Sequence, residues 1–500
     1  MPNYPVIVGV GQLTNRIKSL DQAVEPAELM ARAARAAAVD AGSEGLLAQV
    51  DTLEVVSILS WQYPDAPGLL AQKLGIDPAK RVYTAVGGDT PQKLVNEVSE
   101  AIVNGTVRFA LLAGAEAMAS RNMARKQEAQ LPWKVRGTPE SVVGDTRAGF
   151  SDVEARHGAV APIRVYPLFE NAIRAHLGQS IDEHQQYVAE LASRFTRVAA
   201  QNPCAWFPVA RTPEEIRTVT PENRWVCFPY PKRMNAIMEV DQGAAVLLTG
   251  SETAKELGIP EEKWVYVHGC GQANDKWLVS DRVNYHSSPA IKAATGRALS
   301  QAGLSVDDID FFDLYSCFPS AVQMGLDALG LATTEPRDIT VTGGLPYFGG
   351  AGNNYVMHSI ATTVERLRAN PEQRALVTGL GWFATKHSAG VYSGRPPQGE
   401  WRRSDPAIDQ AAVDSQDSPR FVAEANGPAT VETYTVAFGR GGEPEMGIVI
   451  GRLGDGSRFF ANTPVDSALL WSMTKEEFVG RAGRVEHDAA AQKNILIVQA

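Results

Sequence analysis

Cysteine is the residue type with the strongest nucleophilic and metal-binding chemistry, and the chain has four: Cys204, Cys227, Cys270 and Cys317. They lie 23, 43 and 47 residues apart. This spacing matches neither a disulfide framework nor a metal-ligand motif. No Gly-x-Gly-x-x-Gly run follows an apolar strand, so the sequence also lacks a dinucleotide-binding fingerprint. We therefore expect no bound metal and no disulfides.

The composition is that of a large soluble protein. The chain has 500 residues, 44% of them apolar, which predicts about two to four domains. Its net charge of −10 argues against a nucleic-acid binder or a basic membrane-surface protein. No apolar run is long enough to span a membrane. The first residues lack the basic lead-in of a signal peptide, and Ile-Val-Gln-Ala at the end is no peroxisomal address, so we expect a cytoplasmic protein.

The sequence repeats itself in the same order, with offsets of 259 to 265 residues. The matching segments are 8–12 with 268–272, 27–42 with 291–303, 50–53 with 309–312, and 110–114 with 375–379. Four ordered matches at a nearly constant offset indicate that the chain is a duplication.

Each repeat reads as alternating strands and helices with a Gly-rich turn. Val6–Val10 and Phe109–Ala113 are short apolar runs of the kind found in buried parallel strands. Thr90, Pro91 and Gly105 are placed as the N-cap, first residue and C-terminal stop of a helix. The pattern predicts an α/β fold with parallel sheets covered by helices, in two copies.

Two segments interrupt this pattern. Residues 121–235 form an insertion long enough to be functional or a lid. After 395 the chain becomes polar and Pro-containing, and then Thr430–Val436, Gly447–Arg452 and Arg458–Ala461 read as strands of a small all-β barrel. The predicted domains are 1–256 (first half with the insertion 121–235), 257–396 (second half) and 397–500 (an additional β-rich domain).

With the duplication established, several motifs resemble those of the thiolase superfamily. The resemblance covers residues 1–395 and implies a duplicated fold with α-β-α-β-α layers. The β module and the run 385–390 resemble the type-1 thiolase-like proteins, which carry an extra C-terminal domain. The motifs are Ala-Gly-Ala-Glu-Ala-Met-Ala-Ser at 113–120, Asp-Gln-Gly-Ala-Ala at 241–245, Asp-Leu-Tyr-Ser-Cys-Phe at 313–318, and the Gly-rich turn 343–352.

The resemblance also implies where the reacting groups should be. A thiolase needs a cysteine nucleophile to hold the acyl group and a second cysteine to move a proton at the α-carbon. By the family's spacing the nucleophile falls on Gly88 and the second cysteine on Leu380. The family's histidine falls on Gly350, and its Asn or His on Tyr315. All four side chains are absent, which excludes the ordinary thiolase mechanism.

The remaining scaffold offers binding groups. Gly87 and Gly88 precede a helix, so their backbone N–H groups could hold a thioester oxygen; the alternative is that they only permit a tight turn. The glycines from Gly349 leave room for a ligand in a second wall, or else form a flexible loop emptied by drift. The predicted substrate-binding residues are Gly87, Gly88, Gly349, Gly350, Asn353, Asn354, Tyr355 and Trp382.

Tyr315 and His387 are the predicted catalytic residues. Tyr315 could donate to a β-oxygen or, once ionised, take its proton, as in the thiolase-like aldolases of steroid side-chain degradation that it resembles. Those aldolases work with an OB-fold partner that often carries a zinc-binding cysteine cluster, whereas residues 397–500 contain no cysteine. A structural Tyr315 and a strand-capping His387 are the alternatives. His358 and Cys317 are interpreted as buried core residues.

The predicted function is that of a thiolase-like, acyl-CoA-binding protein of lipid metabolism. It would carry out acyl transfer or carbon–carbon bond chemistry at the thioester, of aldol or retro-aldol type, without a cysteine nucleophile. Arg121, Arg125 and Lys126 could hold the phosphates of coenzyme A, or form a solvated basic face. The alternative function is a catalytically inactive acyl-CoA-binding or scaffold protein. We expect no covalent cofactor, coenzyme A as part of the substrate, no nucleic-acid or membrane partner, and a monomer or homodimer.

Overall fold

A computed structural model describes residues 3–498 of the chain. The terminal segments considered for targeting signals therefore lie partly outside the described residues. Within residues 3–498, no helix is both long and apolar enough to cross a membrane. The strands are β1 (Pro5–Thr14), β2 (Thr52–Val55), β3 (Lys80–Tyr83), β4 (Phe109–Ala117), β5 (Trp225–Cys227), β6 (Tyr230–Pro231), β7 (Asp241–Gly250), β8 (Val265–Asn274), β9 (Phe311–Asp313), β10 (Arg374–Gly381), β11 (Lys386–Ser393), β12 (Gly427–Phe438), β13 (Pro444–Leu453), β14 (Arg458–Asn462), β15 (Ala482–Asp488) and β16 (Lys493–Val498).

Fourteen α-helices lie among residues 3–498, and short 3-10 turns join several of them to strands. The helices are α1 (Pro26–Asp40), α2 (Ala66–Leu74), α3 (Thr90–Val103), α4 (Met118–Lys126), α5 (Asp152–Arg156), α6 (Pro162–His176), α7 (Ile181–Gln201), α8 (Pro213–Arg217), α9 (Ser251–Glu256), α10 (Pro289–Ala302), α11 (Pro319–Ala328), α12 (Tyr355–Ala369), α13 (Pro406–Asp414) and α14 (Ser467–Ser472).

The duplication predicted from the repeats is confirmed by the sheet order. The first half contributes β3-β2-β4-β7-β1 and the second β8-β11-β10-β9, and a short β1–β8 pairing joins them into nine strands. Helix α1 covers the outer face of the first half and α10 that of the second. Helices α3 and α12 each contact strands of both halves and form the layer between them. This is the predicted α-β-α-β-α arrangement.

The expectation of parallel sheets is confirmed only in part. Strand β2 is parallel to β3 and β4, and β9 is parallel to β10, but β1, β7, β8 and β11 pair antiparallel with their neighbours. The run Val6–Val10 therefore lies in an antiparallel strand. Its residues are buried because helices cover both faces of the sheet, and burial on both faces gives the same continuous apolar run in either direction.

The N-terminus of helix α3 lies at the candidate site. Leu94, Val95, Val98 and Ile102 are buried at helical spacing, as the sequence predicts. The helix has Asp89 as its N-cap, one residue earlier than predicted, and the Asp89 side chain makes no capping hydrogen bond.

The insertion is more helical than its sequence indicated. Helix α6 was not predicted, because Pro162 and an internal Pro167 obscure its pattern. Helix α7 begins with a capping box at Ser180 and Glu183.

The C-terminal module is the predicted small barrel. Five strands, β12 to β16, close on themselves because β12 pairs with both β13 and β15 while β14 pairs with β16. The buried Arg458 of β14 pairs with Glu432 of β12, and its guanidinium also donates to the Ser280 and Arg282 carbonyls of the second half. This side chain ties the barrel to the thiolase-like half.

Candidate functional site

Gly88, Tyr315 and Leu380, which the thiolase resemblance placed at three reacting positions, meet in space. Gly88 precedes α3, Tyr315 follows β9, and Leu380 lies near the end of β10. A Cβ added to Gly88 would lie 2.5 Å from the Leu380 carbonyl oxygen and still closer to the Tyr315 hydroxyl. Neither Gly87 nor Gly88 has a positive φ, so crowding by Tyr315, and not a tight turn, requires glycine at 88.

The Tyr315 side chain is held by packing and by the backbone. Its N–H donates to the Thr378 hydroxyl at 2.8 Å, and its ring meets that of Tyr355 edge to face at 5.8 Å. Burial, followed by nearby Cys317 and Tyr355, raises the pKa of Tyr315 well above its ordinary value of 10. The phenol therefore stays protonated at physiological pH, which favours the role of hydrogen-bond donor over that of an ionised base. Its catalytic role stays a prediction.

A small cavity lies beside this phenol. Its volume is about 10 Å³, and Tyr315, Leu380 and His387 are among its walls. That volume is close to the space one water molecule needs. The Gly88 N–H has no hydrogen-bond partner among residues 3–498, whereas the Gly87 N–H already donates to Asn353 Oδ1 at 3.0 Å. Of the two predicted oxyanion donors, only Gly88 is available.

His387 is held in one tautomer by its neighbours. Its Nε2 lies 3.0 Å from the Ala384 carbonyl oxygen and 3.5 Å from Asp275 Oδ2. Because both neighbours are acceptors, Nε2 carries the hydrogen and Nδ1 is left as the basic nitrogen. Burial works against the Asp275 carboxylate, but hydrogen bonding to His387 and the charge of Arg282 outweigh it and keep its pKa below the usual value.

The second predicted wall is already packed with protein groups. The space beside Gly349 is filled by Gln242, and that beside Gly352 by Glu116. The glycines therefore let this loop approach side chains of the first half closely. The expectation that they leave room for a bulky ligand is corrected. The Gly350 N–H donates to the Ile237 carbonyl at 2.8 Å.

The polar residues of this loop are hydrogen-bonded within the protein. Asn353 Nδ2 donates to Ser57 O at 2.9 Å, and Asn354 Nδ2 donates to Gly114 O at 2.7 Å. The Tyr355 hydroxyl is 2.6 Å from the Thr342 hydroxyl. The two asparagine contacts join the two halves, whereas the Tyr355 contact lies within the second half. Together they give the three side chains a structural role that the sequence did not indicate.

Three further residues have local roles. Trp382 has a positive φ of 55°, and its buried indole N–H lacks a partner within the described chain. Burial raises the pKa of Cys317 to about 12, which makes it a poor nucleophile. His358 is buried, its Nδ1 lies 3.0 Å from Gln12 Oε1, and burial lowers its pKa to about 3. Cys317 and His358 are core residues, as interpreted.

The predicted phosphate-binding cations lie on α4, apart from the small cavity beside Tyr315. Lys126 pairs with Glu239 at 3.4 Å, and Arg125 is exposed. Arg121 is half-buried, close enough to Glu116 for its charge to act on that carboxylate. Their part in coenzyme A binding stays a prediction.

Sequence reasoning missed a larger cavity on the other side of His387. Its volume is about 410 Å³, and its walls include Asp89, Lys386 and His387. Asp89 directly follows the Gly-Gly pair and Lys386 directly precedes His387, so both were adjacent to residues already singled out. Residues 3–498 contain no group of three or more side chains arranged to hold a metal ion.

Comparisons with known proteins find family models that match the second half and the C-terminal module. Residues 271–393 match a family model described as "Thiolase C-terminal domain-like", and residues 410–490 match the "Thiolase-like protein type 1 additional C-terminal domain". The crystal structure of a monomeric SCP2-thiolase-like protein type 1 (STLP1) from Mycobacterium smegmatis is 37% identical. The alignment covers 99% of both chains, with a TM-score of 0.85.

More distant proteins share the fold. The Ltp2-ChsH2(DUF35) aldolase is 20% identical over 78% of this chain and 97% of that one, with a TM-score of 0.60. An acetyl-CoA acetyltransferase from Syntrophomonas wolfei is 16% identical over 79% and 100%, with a TM-score of 0.56. A 3-ketoacyl-CoA thiolase from Aliivibrio salmonicida is 29% identical over 147 residues, which are 28% of this chain and 35% of the thiolase. The chain thus spans about a third of the length of the curated relatives it matches.

Proposed function

The chain belongs to the SCP2-thiolase-like protein type 1 family, and we propose that it binds an acyl-CoA and breaks or forms a carbon–carbon bond beside the thioester without a covalent acyl-enzyme. The observation that carries this proposal is the packing of Tyr315 against Gly88. The phenol takes the space that a nucleophilic side chain would need and brings a hydrogen-bond donor to the same place. A site built in this way favours charge stabilisation over covalent catalysis.

In the cleavage direction the substrate is a β-hydroxyacyl-CoA. Nδ1 of His387 takes the proton of the β-hydroxyl, whose oxygen electrons form the new carbonyl as the Cα–Cβ bond breaks. The electrons of that bond move to the thioester oxygen, where the Tyr315 O–H and the Gly88 N–H donate hydrogen bonds. Protonated His387 then returns its proton to Cα. The products are an aldehyde or ketone and a shortened acyl-CoA, and no other reactant is needed.

Two arrangements support this division of roles. Tyr315 and His387 line the same small cavity, which places both side chains beside one space. Asp275 and the Ala384 carbonyl accept at Nε2 of His387, which leaves Nδ1 free to act as the base in this step. The aldolase among the structural relatives has the same fold, but it is too distant in sequence to carry its reaction to this chain.

The experiment is release of a carbonyl product from β-hydroxyacyl-CoA thioesters of increasing length. We expect release by the wild-type protein and a loss of about 10²–10³-fold in Tyr315→Phe, the range for removal of one oxyanion donor. Tyr266→Phe, which changes a tyrosine on β8 outside the site, is the matched control. Undiminished release by Tyr315→Phe would remove Tyr315 from the mechanism.

A second candidate function is acyl-CoA binding without turnover. It is favoured by the small size of the cavity beside Tyr315, about 10 Å³, which leaves no room for an acyl group in the described conformation. Calorimetric titration with coenzyme A and long acyl-CoAs, run beside the release assay, separates the two candidates. Binding without release across the whole substrate series would favour this second function.

We also propose that the protein is a monomer, as its M. smegmatis relative is described. Residues after β3 are covered by the insertion, because Val143 exchanges backbone hydrogen bonds with Tyr83 at 2.9 Å and Ala85 at 2.8 Å. This pairing occupies backbone groups at the edge of the large sheet, where a second chain would otherwise add a strand. Sedimentation of the full chain tests this assignment.

A further inference from the structure

The cavity of about 410 Å³ next to His387 has no role in the reaction described above. It lies between the start of α3, the edge strand β3, the end of β8 and the start of β11. Its volume is within the range of small-molecule binding sites and equals roughly a dozen water volumes. His387 lines both this cavity and the small one beside Tyr315, so it lies between the two.

Most charged groups in the wall already have partners. Glu54 pairs with Lys80 at 3.0 Å, and Lys93 lies 3.7 Å from Glu97. Asp145 pairs with the guanidinium of Arg147. These pairs leave the wall without a strong charge of either sign.

Asp89 and Lys386 are the exceptions. They are 4% and 7% exposed, and neither has an oppositely charged partner within 4.0 Å in residues 3–498. Asp89 Oδ1 has no hydrogen-bond partner there, while Lys386 Nζ donates only to the Val86 carbonyl, at 2.5 Å. The two groups are neighbours beside Gly87 but form no direct ion pair with each other. Buried polar groups left without a direct partner are costly, which favours a role for this pair in holding a ligand.

Two glycines make room for this pair. A Cβ at Gly87 would collide with Asp89 Oδ1 and lie 2.9 Å from Lys386 Nζ, and a Cβ at Gly381 would collide with the same carboxylate. Neither glycine has a positive φ, so the Asp89 carboxylate, not the backbone conformation, requires them. The fold therefore accommodates both groups at the wall of the cavity.

We propose that this cavity binds the β-substituent of the acyl-CoA and selects a compact, hydroxylated group over an alkyl chain. Asp89 accepts a hydrogen bond from a hydroxyl of the substituent, and Lys386 donates one to an oxygen of the same substituent. The pair carries one charge of each sign, which suits a neutral group that both donates and accepts. This inference rests on the proposed function, since it names the substrate class of that site.

The test compares three CoA thioesters by calorimetric titration: 3-hydroxybutyryl-CoA, its analogue with an added 4-hydroxyl, and a long-chain 3-hydroxyacyl-CoA. We expect the wild-type protein to bind the dihydroxy compound at least about 5-fold more tightly than either of the others, since one satisfied hydrogen bond contributes roughly 1 kcal/mol. Asp89→Asn and Lys386→Met should each abolish that preference. The controls Asp307→Asn and Lys255→Met change exposed residues elsewhere and should retain it.

The readout of this test is affinity and not product release, so the two proposals fail separately. A hydroxyl preference in a protein that releases no aldehyde contradicts the proposed reaction and supports the cavity assignment. Equal wild-type affinity for the three thioesters, or a preference that survives in both cavity variants, overturns the assignment even if aldehyde is released. The wild-type comparison decides the matter if either variant proves unstable by thermal unfolding.

Discussion

The hydroxyl of Tyr315 fills the space where a side chain at Gly88 would begin. A Cβ there would also lie 2.5 Å from the Leu380 carbonyl oxygen. A side chain introduced at position 88 alone would therefore collide with both the Tyr315 side chain and the Leu380 backbone. The two residues therefore act as one unit. This relationship explains why the position of a thiolase nucleophile is occupied by glycine in a chain that keeps the surrounding fold.

Gly88→Cys should destabilise the protein and should not create a thiolase. The added side chain overpacks the site, which typically costs about 1–3 kcal/mol. Combining it with Tyr315→Ala should cost less than the sum of the two single changes, because the second removes the colliding phenol. Urea unfolding of the single and double variants measures this coupling. The control is Gly296→Cys on α10, where a Cβ meets nothing within 4 Å; additive free energies at 88 and 315 would contradict the account.

His387→Gln should slow carbonyl release more strongly than Asp275→Asn. The first change removes the base, a role that contributes about 10²–10⁴-fold, whereas the second leaves the imidazole in place. The measurement is the rate of release by each variant and by the wild type. An Asp275→Asn rate equal to that of the wild type would show that Asp275 has only a structural role.

The stability of the protein should fall on mild acidification because of His358. Burial lowers its pKa from 6.5 to about 3, so between these values the unfolded chain binds a proton that the folded chain does not. The stability due to neutral His358 is present above about pH 6.5 and is lost as the pH falls, by up to roughly 1.4 kcal/mol per unit.

His358→Gln keeps a donor for Gln12 and cannot titrate. Its loss of unfolding free energy between about pH 7.5 and pH 5 should be smaller than that of the wild type by roughly 2 kcal/mol. The exposed His176→Gln serves as the control. A His358→Gln profile that follows the wild type would contradict the assignment.

Arg458→Met should be strongly destabilising. The change leaves Glu432 short of a partner and removes the donor for the Ser280 and Arg282 carbonyls, and breaking a buried ion pair costs about 3–5 kcal/mol. Arg484→Met, exposed on β15, should stay within about 0.5 kcal/mol of the wild type. Equal effects of the two changes would show that Arg458 does not hold the barrel to the second half.

The sequence predicted the parts of the fold that repeat. The offset near 260 residues showed that β8 is the repeat of β1 and that β10 is the repeat of β4. The alternating pattern of Thr430–Val436 indicated the barrel. Strand direction could not be read, because Val6–Val10 is apolar throughout and such a run suits either direction. Helix α6 was missed because a proline inside a helix is an unusual pattern.

At the site, the sequence indicated where the residues lie in the fold better than it indicated which groups they contact. Motif spacing brought Gly88, Tyr315 and Leu380 to one place, where the structure also puts them. It did not show that Asn353 and Asn354 serve the protein's own backbone, because hydrogen-bond partners more than 200 residues away leave no local pattern. Asp89 and Lys386 were missed for the same reason, since their position beside each other without a direct ion pair is a property of the folded chain.

The most direct test of the central claim is the intact mass of the wild-type protein after incubation with acetyl-CoA. With the phenol of Tyr315 in place of a thiol, we predict that the mass is unchanged and that coenzyme A is not released. An added acetyl group that maps to Cys317, or to any other cysteine, would show a covalent acyl-enzyme and contradict the account.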